Sequence, residues 1–321
     1  MQRTLIVILT IILTVSTTSI AGADDSTGAQ TQKAVLITGA STGLGRAMAE
    51  LLASKGHFVY AGARKEKDIE ALNAIENVQG IRLDVTVQQD IDAAVKAITK
   101  AGRGLHGLIN NAGVAVIAPL IEVDEEDFDF QMNVNVYGPY RVTRAFAPLI
   151  IESKGRISTT GSISGILSGT LFGPYSMSKH AMEAYTDSLA AEMERFGVQV
   201  SVIEPGNYPS NIGKTLAKRM KARGQSPDGS LYQEDLERMM GWVNSDTPVD
   251  SDPMDVAEAA LHAMFDENPK RRYMVVPNER QADITVRKAM EEMVQLNQGQ
   301  KYTYSRDELV KMLDEAMAKN P

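Results

Sequence analysis

Ala34-Val35-Leu36-Ile37-Thr38-Gly39-Ala40-Ser41-Thr42-Gly43-Leu44-Gly45 decides how the rest of the chain is read. Four consecutive apolar residues bounded by turn signals fit a parallel strand covered on both faces. The glycines that follow permit a tight turn and let the backbone come close to a pyrophosphate. Leu44–Ser54 then continues with helical periodicity. The start of such a helix offers unpaired N–H groups and a partial positive charge. A plain structural turn uses glycine too, so the placement between strand and helix carries the inference.

On either side of this unit the pattern repeats. Strands are expected at Phe58–Ala61, Ile81–Leu83, Gly107–Ile109, Arg156–Thr159, Val198–Ile203 and Tyr273–Val276. Helices are expected at Gln89–Lys100, Glu125–Ile150, Pro174–Phe196 and Met254–Phe265. Strands separated by helices predict an α/β fold: a doubly wound, Rossmann-like parallel sheet of about seven strands with helices on both faces. Right-handed crossovers gather the strand C-termini on one edge, where ligands bind.

Composition narrows the function. The 321 residues carry 41 acidic and 33 basic side chains, a net charge of −8, which argues against a nucleic-acid partner. Cysteine is absent, so disulfides, thiol catalysis and zinc-thiolate sites are excluded. His57, His106, His180 and His262 show no metal-ligand spacing, and no metal is expected.

The N-terminus stands apart. Arg3, an apolar run from Leu5 to Val15 and the small residues Ala21-Gly22-Ala23 form the three parts of a secretory signal. An uncleaved membrane anchor and a buried N-terminal helix are the competing readings, since the run is short of the roughly 20 residues of a span. Residues 1–23 are therefore a signal peptide or a membrane anchor, 24–32 a linker and 33–321 one domain. The first segment points to an exported or membrane-associated protein. The cofactor site argues instead for a cofactor-rich compartment, and the sequence does not choose.

Two positions bear on the cofactor itself. After the second strand, Ala61-Gly62-Ala63-Arg64-Lys65 lacks the acid that usually binds the adenine ribose hydroxyls of NAD. Arg64 suits a 2′-phosphate, which favours NADP(H) over NAD(H). Arg64 and Lys65 also fit the start of a solvated helix. Farther on, Tyr175 and Lys179 stand four residues apart, on one face of a helix. A nearby ammonium favours a phenolate over the free phenol, whose pKa is about 10. Many such pairs on helix surfaces do nothing.

The order of motifs is more specific. Thr38-Gly39-x-x-x-Gly43-x-Gly45, Asp84-Val85, Asn110-Asn111-Ala112-Gly113, Asn135, Ser162, Tyr175-x-x-x-Lys179 and Pro205-Gly206 resemble the short-chain dehydrogenase/reductase family over residues 33–210. Glu204-Pro205-Gly206-Asn207 and Arg271-Arg272-Tyr273 resemble its retinol and 17β-hydroxysteroid dehydrogenase branch. The resemblance implies an NAD(P)-dependent oxidoreductase that interconverts an alcohol and a ketone or aldehyde. It implies a tetrad of Asn135, Ser162, Tyr175 and Lys179, with Tyr175 as general acid/base. Ser162 would hydrogen-bond the substrate oxygen, Lys179 would lower the Tyr175 pKa and hold the nicotinamide ribose, and Asn135 would hold a relay water. The cofactor would lie on Gly39, Ser41, Thr42, Gly43, Leu44, Gly45, Arg64, Asp84, Val85, Asn111, Ala112, Gly113, Tyr175, Lys179, Pro205, Gly206 and Tyr208. A small-molecule substrate and a homo-oligomer are implied as well.

Two departures concern the substrate. Tyr208-Pro209-Ser210-Asn211 replaces the threonine-bearing stretch common after Pro-Gly. Residues 207–252 form a long insertion with Leu216, Met220, Leu231, Met239, Met240 and Trp242 among charges. A lid over a bulky apolar substrate is one reading, and ordinary core contacts of two small helices are the other. Residues 281–321 read as two amphipathic helices. A cofactor-binding regulator or scaffold without turnover is the alternative function on this fold. The intact Ser162–Tyr175–Lys179 set argues against it.

Overall fold

Chain order alternates strand and helix. β1 (Ala34–Ile37), α1 (Gly43–Ser54), β2 (Phe58–Ala63), α2 (Glu66–Asn73), β3 (Val78–Arg82), α3 (Gln88–Ala101) and β4 (Gly107–Asn110) form the first half. Next come α4 (Glu125–Met132), a π-helical turn Asn133–Tyr137, α5 (Gly138–Glu152), β5 (Arg156–Thr160), α6 (Gly173–Met193) and β6 (Gln199–Pro205). The chain continues with α7 (Ile212–Ala222), α8 (Gln233–Val243), α9 (Met254–Phe265), β7 (Arg272–Val275), α10 (Glu279–Asn297) and α11 (Arg306–Lys319). The computed structural model describes residues 32–243 and 251–319. The signal-or-anchor reading of residues 1–23 and most of the 24–32 linker lie outside them. Gln32 is described, and its amide donates to Gly56 O and Asn77 Oδ1. No described helix is long and apolar enough to cross a membrane.

The strands form one parallel sheet in the order β3-β2-β1-β4-β5-β6-β7, the doubly wound arrangement expected. The continuous apolar run of β1 has a plain cause. Val35 and Ile37 face one core layer, with α1 and α9, while Ala34 and Leu36 face the other, with α3, α5 and α6. Both faces are buried, so no position of β1 favours a polar side chain. The sequence order reverses between β1 and β4, and the crevice outside their C-terminal ends is where this fold binds ligands.

α2 is not among the expected helices, and one expected helix is interrupted. Glu125–Ile150 is not one helix but α4 and α5 joined through the π-helical turn. Such a turn inserts one residue and rotates the helix face that follows by about 100°. The insertion folds as α7 and α8, and its apolar side chains form a third cluster. Leu216, Met220, Leu236 and Met239 pack on Ala115, Ile117 and Leu171, with Phe172, Tyr175 and Met240 at the margin. Leu231 is exposed. The side chain of Trp242 lies outside the described residues.

Candidate active site

The glycine turn is built for close approach. Gly39 and Gly43 sit at φ +66° and +57°, which a side chain disfavours. A Cβ at Gly45 would fall 2.4 Å from Asn111 Nδ2 and 2.5 Å from Gly39 O. No side chain caps α1 at Thr42, so its first N–H groups are free for an anion. The end of β4 is fastened to the turn: Thr38 Oγ1 accepts from Asn111 N and Ala112 N at 2.9 and 3.0 Å. Asn111 Nδ2 donates to Thr38 O and Gly39 O.

A cavity of about 920 Å³ opens above this edge. Gly39, Ser41, Thr42, Gly43, Leu44, Gly45, Arg64, Asp84, Val85, Asn111, Ala112, Gly113, Ser162, Tyr175, Lys179, Pro205, Gly206 and Tyr208 all line it. The structure thus gathers at one cavity every expected site residue except Asn135. Arg64 is mostly exposed there, with Nη1 3.8 Å from Asp84 Oδ2. Tyr208 contributes its ring but commits its hydroxyl to Asp255 Oδ2 at 3.1 Å.

Asn135 is buried behind the wall. Its Oδ1 accepts from Val114 N, and its Nδ2 donates to Val114 O and Ser178 Oγ. These contacts commit the side chain to the loop after β4, so the relay-water role is not visible in its hydrogen bonding. Gln131, one turn earlier, makes the same kind of clamp on Val114, Val116 and Ser178. The sequence reading missed it, because a buried amide has no spacing signature.

Lys179 Nζ donates to Thr160 O at 2.8 Å and lies 5.7 Å from the centre of the Tyr175 ring. Burial lowers the Lys179 pKa to about 8, against the pull of Glu183. Burial also raises the Tyr175 phenol, against a hydrogen bond with Ser162. The lysine was expected to bring the phenol down. Desolvation is the larger influence on Tyr175 in this arrangement and favours the neutral phenol.

The C-terminal tail joins the site unexpectedly. Gln281 Oε1 accepts from Asn207 N at 2.8 Å, and Asn278, Arg280 and Ile284 line the cavity. A Cβ at Gly206 would come within 2.3 Å of Gln281 Oε1 and displace that side chain from Asn207 N.

Comparison with known proteins agrees with this geometry. Residues 33–221 match the short chain dehydrogenase family. The chain belongs to that family, on its hydroxysteroid/retinol dehydrogenase-like branch. Its reaction class is the oxidoreduction of an alcohol and a ketone or aldehyde with a nicotinamide cofactor. Among its relatives is bovine (Bos taurus) mitochondrial D-beta-hydroxybutyrate dehydrogenase, 32% identical, with 75% of this chain and 76% of the relative covered. Bos taurus dehydrogenase/reductase SDR family member 9 is 36% identical, covering 76% and 80%. A solved short-chain dehydrogenase/reductase from Burkholderia phymatum, in complex with NAD, superposes with a TM-score of 0.69. It is 26% identical, and the match covers 85% of this chain and 98% of that one.

Proposed function

We propose that this chain reduces or forms a carbonyl on a bulky apolar substrate, with Tyr175 as the general acid/base. The observation that carries it is the convergence of Ser162, Tyr175 and Lys179 with the glycine turn on one cavity. The nicotinamide cofactor, when bound, supplies the hydride. Ser162 and the Tyr175 hydroxyl hydrogen-bond the carbonyl oxygen and stabilise its developing charge. Tyr175 gives its proton to that oxygen in reduction and takes it in oxidation. Lys179, fixed by Thr160 O, places a positive charge beside the phenol and holds the nicotinamide ribose. Turnover of ketones, aldehydes and alcohols with both cofactors tests the reading. A wild-type protein that binds cofactor and turns over none of them would leave the regulator alternative standing.

NADP(H) is the preferred cofactor in this reading. Arg64 lines the cavity where the adenine ribose would lie, and no acid stands at Ala63. Arg64→Ala is expected to weaken NADP(H) by about tenfold or more and NAD(H) little, because a charge-assisted contact to phosphate is lost. Titration with both cofactors checks this. Equal weakening of the two, or a wild-type preference for NAD(H), would sink it.

The insertion at 207–252 acts as a lid over the substrate. Leu216 and Met239 line the cavity beside Ala115, Ile117 and Phe172, while Met240 packs from behind. The residues of the insertion form a small core, and Leu216 and Met239 of that core also line the cavity, which supports the lid reading. Each methylene of substrate covered contributes about 0.8 kcal/mol, or roughly fourfold in kcat/KM, until the space is filled. Met239→Ser is expected to flatten that dependence and spare small substrates. A homologous series of ketones measures it, and better turnover of small polar ketones by the wild type would refute the lid. Export or membrane attachment through residues 1–23 remains part of this proposal, with fractionation and the mass of the mature N-terminus as its test.

A further inference from the structure

Behind Ser162 lies a group of charges that this chemistry does not use. Glu183 stands one turn after Lys179 on α6. Its carboxyl is pressed against the turn that carries Ser162. A Cβ on Gly165 would come within 2.8 Å of Glu183 Oε1, and one on Gly161 within 3.1 Å. Glu204, on β6 next to Pro205, is 3% exposed and lies within hydrogen-bonding reach of Glu183. Arg272 of β7 reaches both, with Nε 3.3 Å from Glu183 Oε2 and 3.6 Å from Glu204 Oε1. Its other nitrogens hold Asp187 at 3.0 and 2.7 Å.

The charges do not balance. One guanidinium, already paired with Asp187, faces two further buried carboxyls. As carboxylates, both Glu183 oxygens and Glu204 Oε1 have no hydrogen-bond partner among the described residues. Two negative charges this close in a low dielectric cannot both persist, and one retained proton satisfies the pair. Burial and the charge of Glu183 push Glu204 well above the ordinary carboxylate range, against Arg272. Glu183 is also the group that holds the buried Lys179 up.

We propose that Glu183 and Glu204 form a buried carboxyl pair sharing one proton, and that the charge left on Glu183 keeps Lys179 an ammonium at neutral pH. The second half rests on the Tyr175–Lys179 reading above. Both glutamates are positioning residues. The groups that face the pair are Lys179 and Asp187 of α6 and Arg272 of β7, with Arg271 beside Asp187. The turn over it, Gly161–Gly165, carries no ionisable side chain.

One measurement needs no substrate. A glutamic acid protonated in the fold ionises near pH 4.3 once unfolded, so the folded state binds the extra proton and stability falls as pH rises. Between about pH 6 and 8 the wild-type Tm should drop by about 3 °C more than that of Glu204→Gln. Parallel Tm curves would overturn the shared proton. The other measurement is kcat/KM for ketone reduction against pH. Glu183→Gln should move the alkaline limb down by about one pH unit, Glu183→Asp should restore it, and Glu204→Gln should leave it in place. A uniform loss with the limb unmoved would mean that Glu183 only packs, which overturns the link to Lys179. A wild type that turns over no carbonyl would indict the oxidoreductase reading instead, and the Tm comparison would still judge the pair.

Discussion

Tyr175→Phe is expected to lose at least about 10² in kcat/KM while binding the nicotinamide cofactor as the wild type does. The substitution removes one oxygen from a side chain that touches both the cavity and the Leu216–Met239 cluster. The ring stays, so its packing against that cluster is kept. The proton donor goes, and so does the partner of Ser162. What remains is Ser162, whose hydroxyl accepts from Ser164 N at 3.0 Å and is already turned partly toward the backbone. It is a weaker acid than a phenol, because an aliphatic alkoxide lacks the ring that spreads the charge of a phenolate. A carbonyl oxygen gaining charge would then find a hydrogen bond but no transferable proton. Cofactor fluorescence and steady-state turnover measured on one preparation separate binding from chemistry. Near wild-type turnover by the phenylalanine variant would remove Tyr175 from the mechanism, whatever the fold.

The direction of the Tyr175 shift marks the boundary of what sequence can tell. Spacing placed Lys179 beside the phenol. Only the fold shows that burial acts on both groups, bringing the lysine down and the phenol up. The same boundary runs through the fold. β1 and α9 were legible because their patterns answer to one environment: two buried faces for Ala34–Ile37, one buried stripe for Met254–Phe265. α2 was not, because Glu66-Lys67-Asp68 is solvated and only Ile69 and Leu72 are buried. The glycine turn, Ser162 and the Tyr175–Lys179 pair could be found because each lies within a short stretch. Glu183 with Glu204 and Asp127 with Arg219 could not. Such pairs are made by the sheet order and by the insertion folding back, and no local pattern records a partner 92 residues away.

Asp127→Ala is the substitution expected to unfasten the lid. Asp127 is 2% exposed at the first turn of α4, and its N–H is capped by Asp124. Its carboxylate is surrounded by the insertion. Arg219 Nε and Nη2 donate to Oδ1 at 2.8 and 2.5 Å, Arg223 Nε lies 3.2 Å from Oδ2, and the Gln225 amide also donates to Oδ2. The Arg219 guanidinium lies 3.8 Å over the Phe130 ring, so it is stacked as well as paired. Truncating one partner of a wholly buried pair costs about 3–5 kcal/mol. Arg219 and Arg223 are each about a quarter exposed, and solvent can reclaim part of that, so about 2 kcal/mol is expected. Almost all of it should appear as lid opening, because the broken contacts join α4 to α7 and leave the two main core layers untouched. That is roughly thirtyfold in the closed-to-open ratio. KM for large apolar ketones should rise by up to that factor while small ketones are spared, and amide exchange in α7 and α8 should quicken ahead of the rest of the domain. Asp127→Asn should fall between, since it keeps an acceptor for Arg219 and loses the charge. The lid reading predicts that small and large substrates diverge; if both lose activity together, or if exchange quickens across the whole sheet, Asp127 supports the fold and not the closure.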